Sequence, residues 1–479
     1  MNRVLRPHQE RAIASLRMAM ASGKRRPMLQ LPTGAGKTFI AANIINMARA
    51  KGNRVCFCVP AISLIDQSVQ EFYREGITDV GVIQADHPMR DYSKPVQIAS
   101  IQTLQSRGVP DFDLIIVDEA HKIFKVIAEW MESGKPFIGL SATPWAKGLG
   151  KLYDDLLIGA TLRELIDAGY LSDYRVFAPA HPDLSAVKNT AGDYNQKQLG
   201  EVMNDSRLVA DVVSTWKKRG QGRPTLCFAV DRAHAKALQQ QFEGAGVGCG
   251  YIDAYTDTIE RKIVEGQLKR GEISVVANVG CLTTGVDWDV RCIILARPTR
   301  SEMLFVQMIG RGLRTADGKE DCLILDHADN HARLGFAADI HHDNLDDGAK
   351  GERKKPEAKA PLPKECPKCS FLKEPKVHEC PSCGFKPEKF SAIEYEDGEL
   401  LEVKAAKPKA TKDDKQIFYS GLLHIAQKRG RAKGWVSHTY RDRFGVWPKG
   451  LADIPTDPPR DVWAYVQSKD IRFAKRRAA

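Results

Sequence analysis

The sequence predicts an α/β protein with two tandem parallel sheets, because two series of short apolar runs recur along the chain. Runs this short and this apolar suit strands that are buried on both faces, and the polar segments between them are long enough for crossover helices. The runs occupy residues 55–59, 96–99, 114–117 and 137–140, then residues 225–230, 273–277, 293–295 and 323–325. At about 150 residues per domain, the 479 residues predict roughly three folded units. We expect the two sheet domains over residues 1–150 and 170–340.

Composition and hydropathy restrict the class of protein. Hydrophobic residues make up 43% and charged residues 27% of the chain, a globular balance that excludes a wholly disordered or fibrous protein. No run of about 18 apolar residues occurs, so we expect no membrane-spanning helix and no membrane partner. The N-terminal residues lack the apolar core of a signal peptide, which predicts a cytoplasmic, nucleoid-associated protein.

A glycine-containing loop lies between the strand-like residues 28–31 and the helix-compatible residues 39–50. Its glycines let backbone N–H groups turn toward phosphate oxygens at the positive end of the helix, while the Lys reaches the β- and γ-phosphates and the next hydroxyl holds Mg²⁺. The strict motif begins with Gly six positions before the Lys, where Leu31 stands here. The structural alternative is a glycine turn before a helix with a surface Lys. The predicted phosphate-binding residues are Thr33, Gly34, Ala35, Gly36, Lys37 and Thr38, with Thr38 also a magnesium ligand.

Two carboxylates stand at the end of a predicted buried strand, where residues 114–117 run directly into Asp118 and Glu119. A parallel strand delivers its last residues to the carboxyl edge of the sheet, where ligands of open α/β sheets bind. Asp118 can bind Mg²⁺ there, and Glu119 can orient and deprotonate an attacking water. Taken alone, the pair is typical of a helix N-cap with a first-turn acid. The preceding phosphate loop favours a nucleotide site.

With both motifs in place, the sequence resembles superfamily-two helicases of the DEAH-box type over about residues 5–330. Further segments resemble the family's glutamine motif at residues 5–9, a strand-contacting motif at 100–103, motif III at 141–144, motif V at 278–287 and motif VI at 307–314. The resemblance implies two RecA-like domains with ATP between them. The whole pattern is closest to RadD-like DNA-repair helicases, and it is also similar to the motor parts of restriction enzymes and of XPB-type helicases.

The resemblance also implies roles for residues outside the phosphate loop. Gln9 would read the adenine, and two arginines of motif VI would face the γ-phosphate, where a positioned guanidinium stabilises the charge that develops on the transferred group. Without the resemblance, two arginines at this spacing on a helix could equally be solvent-exposed side chains with no role in a site. The implied catalytic residues are Lys37, Asp118, Glu119, Gln307, Arg311 and Arg314, and the implied nucleotide-binding residues outside the loop are Arg6, Gln9, Gly285 and Asp287.

Four of the eleven cysteines form two Cys-x₂-Cys pairs in a module expected over residues 364–388. In a cytosolic chain this pattern indicates a metal site rather than disulfides, and four thiolates close a structural tetrahedral site. Zinc is the expected metal, while the spacing alone leaves an iron–sulfur cluster open. The predicted ligands are Cys366, Cys369, Cys380 and Cys383.

The last segment, residues 412–479, is predicted to be a basic nucleic-acid-binding module that follows the polar stretches at 343–365 and about 403–415. Residues 415–479 carry 14 Lys and Arg against five Asp, most of the net charge of +11. Aromatic rings interleaved with these cations suit base stacking, and they equally suit the core of a small domain. Three lysines of the cysteine module are likewise either phosphate contacts or solvated charge: Lys368, Lys373 and Lys376.

Together these features predict an ATP-dependent DNA helicase or translocase that acts in DNA repair, recombination or replication on single-stranded or forked DNA. One alternative is the motor subunit of a restriction-type or repair complex with protein partners, and another is an ATP-regulated scaffold that grips DNA without moving. The preference for DNA over RNA rests on the resemblance alone. We expect no nuclease site in the His-rich stretch, whose histidines should be solvated: His327, His331, His341 and His342.

Overall fold

A computed structural model of the chain describes residues 3–190, 192–283, 287–348, 362–386 and 411–477. The first sheet is built from β1 (Pro27–Gln30), β2 (Val55–Val59), β3 (Val80–Ile83), β4 (Val96–Ser100), β5 (Leu114–Asp118), β6 (Phe137–Ser141) and β7 (Asp155–Ile158). Its order is β3-β4-β2-β5-β6-β1-β7, and all neighbouring strands are parallel. The sheet extends beyond residue 150, because β7 pairs with β1. We call this sheet and its helices the first lobe.

The second sheet defines the second lobe. The strands that follow along the chain are β8 (Asp173–Phe177), β9 (Asn189–Thr190), β10 (Asp193–Tyr194), β11 (Thr225–Phe228), β12 (Cys249–Ile252), β13 (Val275–Asn278), β14 (Cys292–Leu295) and β15 (Asp321–Asp326). Strands β9 and β10 form a separate antiparallel pair, and the sheet order is β12-β13-β11-β14-β15-β8, again all parallel. The predicted class of two tandem parallel sheets is therefore confirmed.

Helices flank both sheets and complete the crossovers that parallel strands require. In the first lobe they are α1 (Pro7–Ala21), α2 (Lys37–Arg49), α3 (Ile65–Arg74), α4 (Ile101–Arg107), α5 (Lys125–Met131) and α6 (Leu162–Asp167). In the second lobe they are α7 (Gln196–Met203), α8 (Ser206–Arg219), α9 (Arg232–Gly244), α10 (Thr258–Arg270), α11 (Glu302–Gly310) and α12 (Asn330–Leu334). Short 3₁₀ turns lie at Ile62–Leu64, Leu149–Lys151 and Ala337–Asp339. The central strands are buried along their whole length, which explains why they are apolar rather than alternating.

The four-cysteine module packs on the edge of the second sheet through the short antiparallel pair β16 (Lys364–Glu365) and β17 (Leu372–Lys373). Phe371 bridges to Phe177 at the end of β8, with their rings 5.4 Å apart. The Arg219 guanidinium lies 3.9 Å from the Phe177 ring centroid and donates to the carbonyl of Cys369 at 2.7 Å. Lys373 is buried and donates to the carbonyl of His378, so this lysine is neither a solvated charge nor placed at the surface for a phosphate contact. Lys368 and Lys376 are exposed.

The stretch predicted to be a polar linker is in part structured. Residues 339–348, which we call the strap, run from the second lobe back onto the first. Asp339 pairs with Arg163 of α6 at 2.7 Å, and His342 lies against Trp145 with ring centroids 4.7 Å apart. Asp346 accepts backbone hydrogen bonds from the loop that holds Gly148 and Gly150, at 3.1 and 2.8 Å. Leu345 packs against the first lobe's core.

Two histidines predicted to be solvated are buried instead. His331 is fully buried, and its Nδ1 lies 2.7 Å from the buried carboxylate of Asp326 at the end of β15. His327 is also buried, and burial lowers its pKa to about 4. Of these four histidines only His341 is exposed, and His342 is half-buried with its Nε2 2.8 Å from a carboxylate oxygen of Glu302. The solvated interpretation overlooked that this segment crosses the carboxyl edge of the second sheet.

Residues 411–477 form a helical unit with its own core, built from α13 (Lys412–Lys428), α14 (Lys433–Phe444) and α15 (Arg460–Arg477). Phe418, Tyr419 and Tyr440 are at most 5% exposed, so for these aromatics the core interpretation is correct. Among the helices that the structure describes, none is long and apolar enough to cross a membrane.

Candidate nucleotide and metal sites

Three neighbouring strands of the first sheet bring the predicted motifs together. Strands β5, β6 and β1 are adjacent, and β1 ends at Gln30 opposite Ser141, the end of β6. The phosphate loop, the acidic pair and motif III therefore leave the same carboxyl edge side by side. Parallel pairing, which places like ends together, builds the site from segments distant in sequence.

The phosphate loop has the backbone that its glycines predict. Gly34 and Gly36 have φ of 86° and 85°, in the left-handed region that favours glycine. A Cβ at Gly36 would lie 2.5 Å from Nε2 of Gln9, so the loop also needs glycine for space. Leu31, which replaces the first Gly of the strict motif, extends the strand into the core and donates its N–H to the carbonyl of Ser141 at 2.9 Å. The departure from the motif thus places an apolar side chain in the core, and the left-handed turn at Gly34 and Gly36 forms without the first Gly.

Lys37 opens α2 and points back into its own loop. Its Nζ donates to the carbonyls of Leu31 and Pro32 at 3.2 and 3.4 Å. Burial lowers the pKa of Lys37, and the charges of Glu119 and Asp118 oppose that shift. A lysine held this way is placed to exchange two backbone carbonyls for phosphate oxygens.

The acidic pair combines two differently tuned carboxyl groups. Burial and the neighbouring Glu119 raise the pKa of Asp118 to about 7. Burial also acts to raise the pKa of Glu119, but the charges of Lys37 and Arg311 outweigh it and hold that pKa below its ordinary value. Glu119 adopts φ of 47°, an uncommon value for a residue with a Cβ. A bound cation would favour the ionised form of Asp118, so Asp118 suits a magnesium ligand. Glu119, which is already ionised, suits a base for water.

A polar bridge joins the acidic motif to the second lobe. The Nδ1 of His121 lies 2.9 Å from the Ser141 hydroxyl, and burial lowers the pKa of His121 to about 4, which leaves it neutral. Gln307 of α11 donates its amide to the Thr143 hydroxyl at 2.8 Å and lies 3.3 Å from Nε2 of His121. Gln307 therefore contacts both the histidine that lies two residues after Glu119 and the hydroxyl of Thr143 in motif III.

The motif VI arginines lie at the seam between the lobes. Arg311 is 5% exposed, and burial together with nearby Arg314 lowers its pKa to about 10. Arg314 pairs with Asp287 at 2.8 Å, and its Cγ would be 3.4 Å from a Cβ at Gly34. The predicted Gly285, with Thr284 and Val286, lies outside the described residues. The second lobe thus brings two guanidinium groups to the glycine loop of the first.

The predicted adenine-reading residues are arranged around α1. Gln9 is buried, its Nε2 donates to the carbonyl of Ala35 at 2.9 Å, and its Oε1 accepts from the N–H of Arg6. One donor and one acceptor position of the Gln9 amide remain for a base. Arg6 stacks on Tyr170 with 4.7 Å between the guanidinium carbon and the ring centroid.

One cleft of about 970 Å³ contains these groups. Its walls include most of the predicted site residues, as well as Arg3, Tyr170 and Trp288, which sequence reasoning missed. Tyr170 follows α6 in the connection between the lobes, where no motif or spacing marks it. The predicted residues in the cleft wall are Arg6, Gln9, Thr33, Gly34, Gly36, Lys37, Thr38, Asp118, Glu119, Asp287, Arg311 and Arg314.

The four cysteines of the module converge on one point. The Sγ atoms of Cys366 and Cys383 are 3.8 Å apart, those of Cys369 and Cys380 are 3.7 Å apart, and all four lie within 4.8 Å of one another. A tetrahedral zinc with Zn–S bonds of about 2.3 Å requires Sγ separations of about 3.8 Å. Backbone turns after each Cys-x₂-Cys pair, such as Gly384 N–H to Cys380 carbonyl at 2.8 Å, hold this arrangement, which fits zinc.

Comparison with known proteins finds helicase relatives for both lobes. The family described as Type III restriction enzyme, res subunit, matches residues 2–146, and the helicase conserved C-terminal domain matches residues 206–316. The chain is 32% identical over 354 residues to IRC3 of Saccharomyces cerevisiae, which its name describes as an ATP-dependent helicase. That match covers 67% of this chain and 51% of IRC3, so the chain spans about half of that relative's length.

Two further comparisons add a relative by sequence and one by structure. A 51.5 kDa protein of a Lactococcus phage is 29% identical over 359 residues, covering 72% of this chain and 75% of the phage protein. The solved fragment of an HsdR-type subunit of a type I restriction enzyme from Vibrio vulnificus YJ016 superposes with a TM-score of 0.54 at 23% identity. It covers 73% of this chain and 67% of the fragment, a likeness that shows a common fold.

Proposed function

The chain is superfamily-two helicase-like, and from that premise we propose that it is an ATP-dependent DNA helicase or translocase of the DEAH-box type. One observation carries the proposal. The first lobe contributes a lysine and two carboxylates, and the second contributes Arg311 and Arg314, to the wall of a single cleft. A site shared in this way changes when the lobes move, so the chemistry and the motion are linked.

Each side chain then has a role in hydrolysis. Lys37 would bind the β- and γ-phosphates, and Thr38 and Asp118 would hold Mg²⁺, which neutralises phosphate charge when it is bound. Glu119 is held ionised and accepts a proton from the attacking water. Arg311 and Arg314 stabilise the charge that develops on the transferred phosphoryl group.

Gln307 supports the link between hydrolysis and movement. Its contacts with His121 and Thr143 connect α11 of the second lobe to the ends of β5 and β6, which lie on one side of β1 and its phosphate loop. A shift of the acidic motif during hydrolysis would alter these contacts first. DNA bound across both lobes would then make different contacts before and after hydrolysis, and this alternation would move the protein along the DNA.

We further infer a role in DNA repair, recombination or replication, as the resemblance to RadD-like helicases suggests, on single-stranded or forked DNA. The structural module would hold zinc, and the basic C-terminal unit would contact DNA. A restriction-type motor subunit is the second candidate, favoured by the res-subunit match over residues 2–146 and by the HsdR-like fold. The buried, ionised Glu119 argues against a scaffold that never hydrolyses ATP.

The ATPase assignment is tested with Lys37→Ala and Arg311→Ala. We expect both to lose DNA-stimulated ATP hydrolysis, Arg311→Ala by about 10³-fold or more. Exposed cations serve as matched controls, with Lys51→Ala in the first lobe and Arg207→Ala in the second expected to be normal. Normal stimulated activity in either site variant would refute the shared site.

A second set of assays identifies the nucleic acid that activates the ATPase and tests whether its strands are separated. ATPase rates with single-stranded DNA, duplex DNA, forked DNA and RNA identify the activating polymer, and strand displacement distinguishes a helicase from a translocase. Activity that appears only with added partner subunits would support the restriction-type candidate instead.

A further inference from the structure

The aromatic residues of the C-terminal helical unit divide into two groups. Most of them build its core or its edge, as Phe418, Tyr419 and Tyr440 do. Trp447 does not belong to that core and is 43% exposed. Burial of an indole contributes a large stabilisation, and at 43% exposure much of the Trp447 ring instead faces solvent at a basic surface.

The surroundings of Trp447 fix its position. Helix α14 is capped at its C-terminal end by Gly445, which has φ of 73°, and the N–H of Lys449 donates to the carbonyl of Trp447 at 2.9 Å. The guanidinium carbon of Arg441 lies 4.7 Å from the indole ring centroid. The exposed imidazole of His438, one turn earlier on α14, lies 5.2 Å away with its plane at 73° to the indole. The ring therefore has a cationic neighbour and a polar ring beside it, and it lies outside the apolar core of the unit.

The charges around Trp447 are positive. Three carboxylates of α14, α15 and the loop between those helices pair with other cations. Asp442 pairs with Lys469, Asp453 with Lys433, and Asp470 with two arginines of the first interhelical turn. Within residues 411–470, no carboxylate lies within ion-pairing distance of Arg441 or Lys449. The surface beside the exposed indole thus retains its cations for an anionic partner.

We propose that Trp447, with His438, Arg441 and Lys449, forms a base-stacking site for single-stranded DNA on the C-terminal unit. An aromatic ring that presents a π-face beside unpaired cations is the arrangement that binds single strands, because every base can stack and every phosphate attracts the cations. This inference rests on the proposed function as a DNA motor and assigns one of its DNA contacts. The cationic surroundings favour a nucleic-acid strand over an apolar protein segment.

Affinity of the full chain for a fluorescent oligothymidylate, measured by anisotropy, tests the site. We expect Trp447→Ala to weaken binding by about 5- to 150-fold, the range for loss of one stacked base, and Trp447→Phe to retain most of the affinity. The exposed apolar Ile454 lies on the same unit outside this site, so Ile454→Ala is the matched control and should bind normally.

Salt dependence adds a readout that damage to the fold would not reproduce. Arg441→Ala should reduce the slope of log affinity against log salt by about 0.7, whereas Trp447→Ala should leave the slope unchanged, because the indole carries no charge. In the wild-type protein, ultraviolet cross-linking to an oligonucleotide that contains 5-iodouracil should label the peptide that carries Trp447.

Two outcomes would overturn the inference: wild-type affinity in Trp447→Ala, or cross-links confined to other peptides. A Trp447→Ala protein that binds DNA normally but loses a protein partner would identify a protein-docking site and also overturn it. The result is distinguishable from failure of the motor assignment. A chain without ATPase activity but with Trp447-dependent binding would keep the stacking site and refute the motor, and the reverse result would do the opposite.

Discussion

Three ionisable residues at the candidate site lie partly or fully buried next to one another. Lys37, Asp118 and Glu119 are held close together, and their pKa values are displaced by burial and by one another. Glu119 also carries an uncommon backbone conformation. Perturbed titratable groups and local strain concentrate at functional sites, so this cluster is distinguished from an ordinary surface ion pair on physical grounds.

Asp326 and His331 form a buried pair in the second lobe that contributes to stability rather than to the candidate site. Asp326 accepts from the backbone and side chain of His331 and from the N–H of Ala328. Burial acts to raise the pKa of Asp326, but the hydrogen bonds and charge of His331 outweigh it and lower that pKa. Neither residue lines the nucleotide cleft, so we assign the pair to stability.

We predict that Asp326→Ala lowers the free energy of unfolding of the second lobe by about 3–5 kcal/mol, because it leaves His331 and two N–H groups buried without their acceptor. Because its folded-state pKa is lowered, the carboxylate stabilises the fold fully above its ordinary pKa of 3.8, and that stabilisation is lost as the pH falls below it. Thermal and denaturant unfolding at pH 7 measure the effect. The exposed Asp317→Ala is the control, and equal stability of the two variants would contradict the assignment.

At the scale of elements, the four-cysteine module depends on its metal ligands for its fold. The four-cysteine module has two-residue strands and almost no apolar core of its own, so its fold must come from metal ligation and from docking on β8. Small domains of this kind are commonly unfolded without their metal.

Metal analysis of the purified protein should find about one equivalent of zinc, and Cys380→Ser should reduce it below about half. ATP hydrolysis should be retained, because none of the module's described residues lines the nucleotide cleft. Cys281→Ser, at a half-buried cysteine of the second lobe, is the matched control and should keep its zinc. Visible absorption with bound iron would indicate an iron–sulfur cluster in place of zinc.

At the scale of the whole molecule, the two lobes are connected twice. The chain passes from first to second through the segment that carries Tyr170, and the strap returns from the second lobe to the loop after motif III. Leu345 and Asp346 anchor the strap on the first lobe. Separation of the lobes must therefore detach the strap or carry that loop along, so the strap favours the arrangement in which Gln307 of α11 contacts His121 and Thr143.

We predict that Leu345→Ala shifts the lobes toward separation by about 1 kcal/mol, which is about fivefold in the equilibrium, because a partly buried side chain leaves the first lobe's core. The KM for ATP should rise by a similar factor while kcat at saturation is unchanged, and the radius of gyration from X-ray scattering should increase without nucleotide. Val109→Ala, at an exposed first-lobe position, is the control. An unchanged KM and radius would show that the strap does not influence closure.

Much of the fold and candidate site could be predicted because the signals are local. Strand burial leaves apolar runs, the turn at Gly34 and Gly36 needs glycine, and paired Cys-x₂-Cys segments indicate a metal site. Side chains whose partners lie far along the chain leave no such signal. Tyr170 in the cleft wall, Lys373 in the module and the buried His327 could be assigned only once their neighbours were known.

The amino-acid sequence alone determined the order of the motifs, the parallel α/β class and the convergence of four thiolates, since each follows from short-range pattern and from the rule that parallel strands end at one edge. The tertiary structure alone decided which aromatics are core and which are surface, that Gln307 bridges the acidic motif to motif III, and that the strap returns to the first lobe. These depend on packing between distant segments, where burial and pairing are set by neighbours that no local pattern specifies.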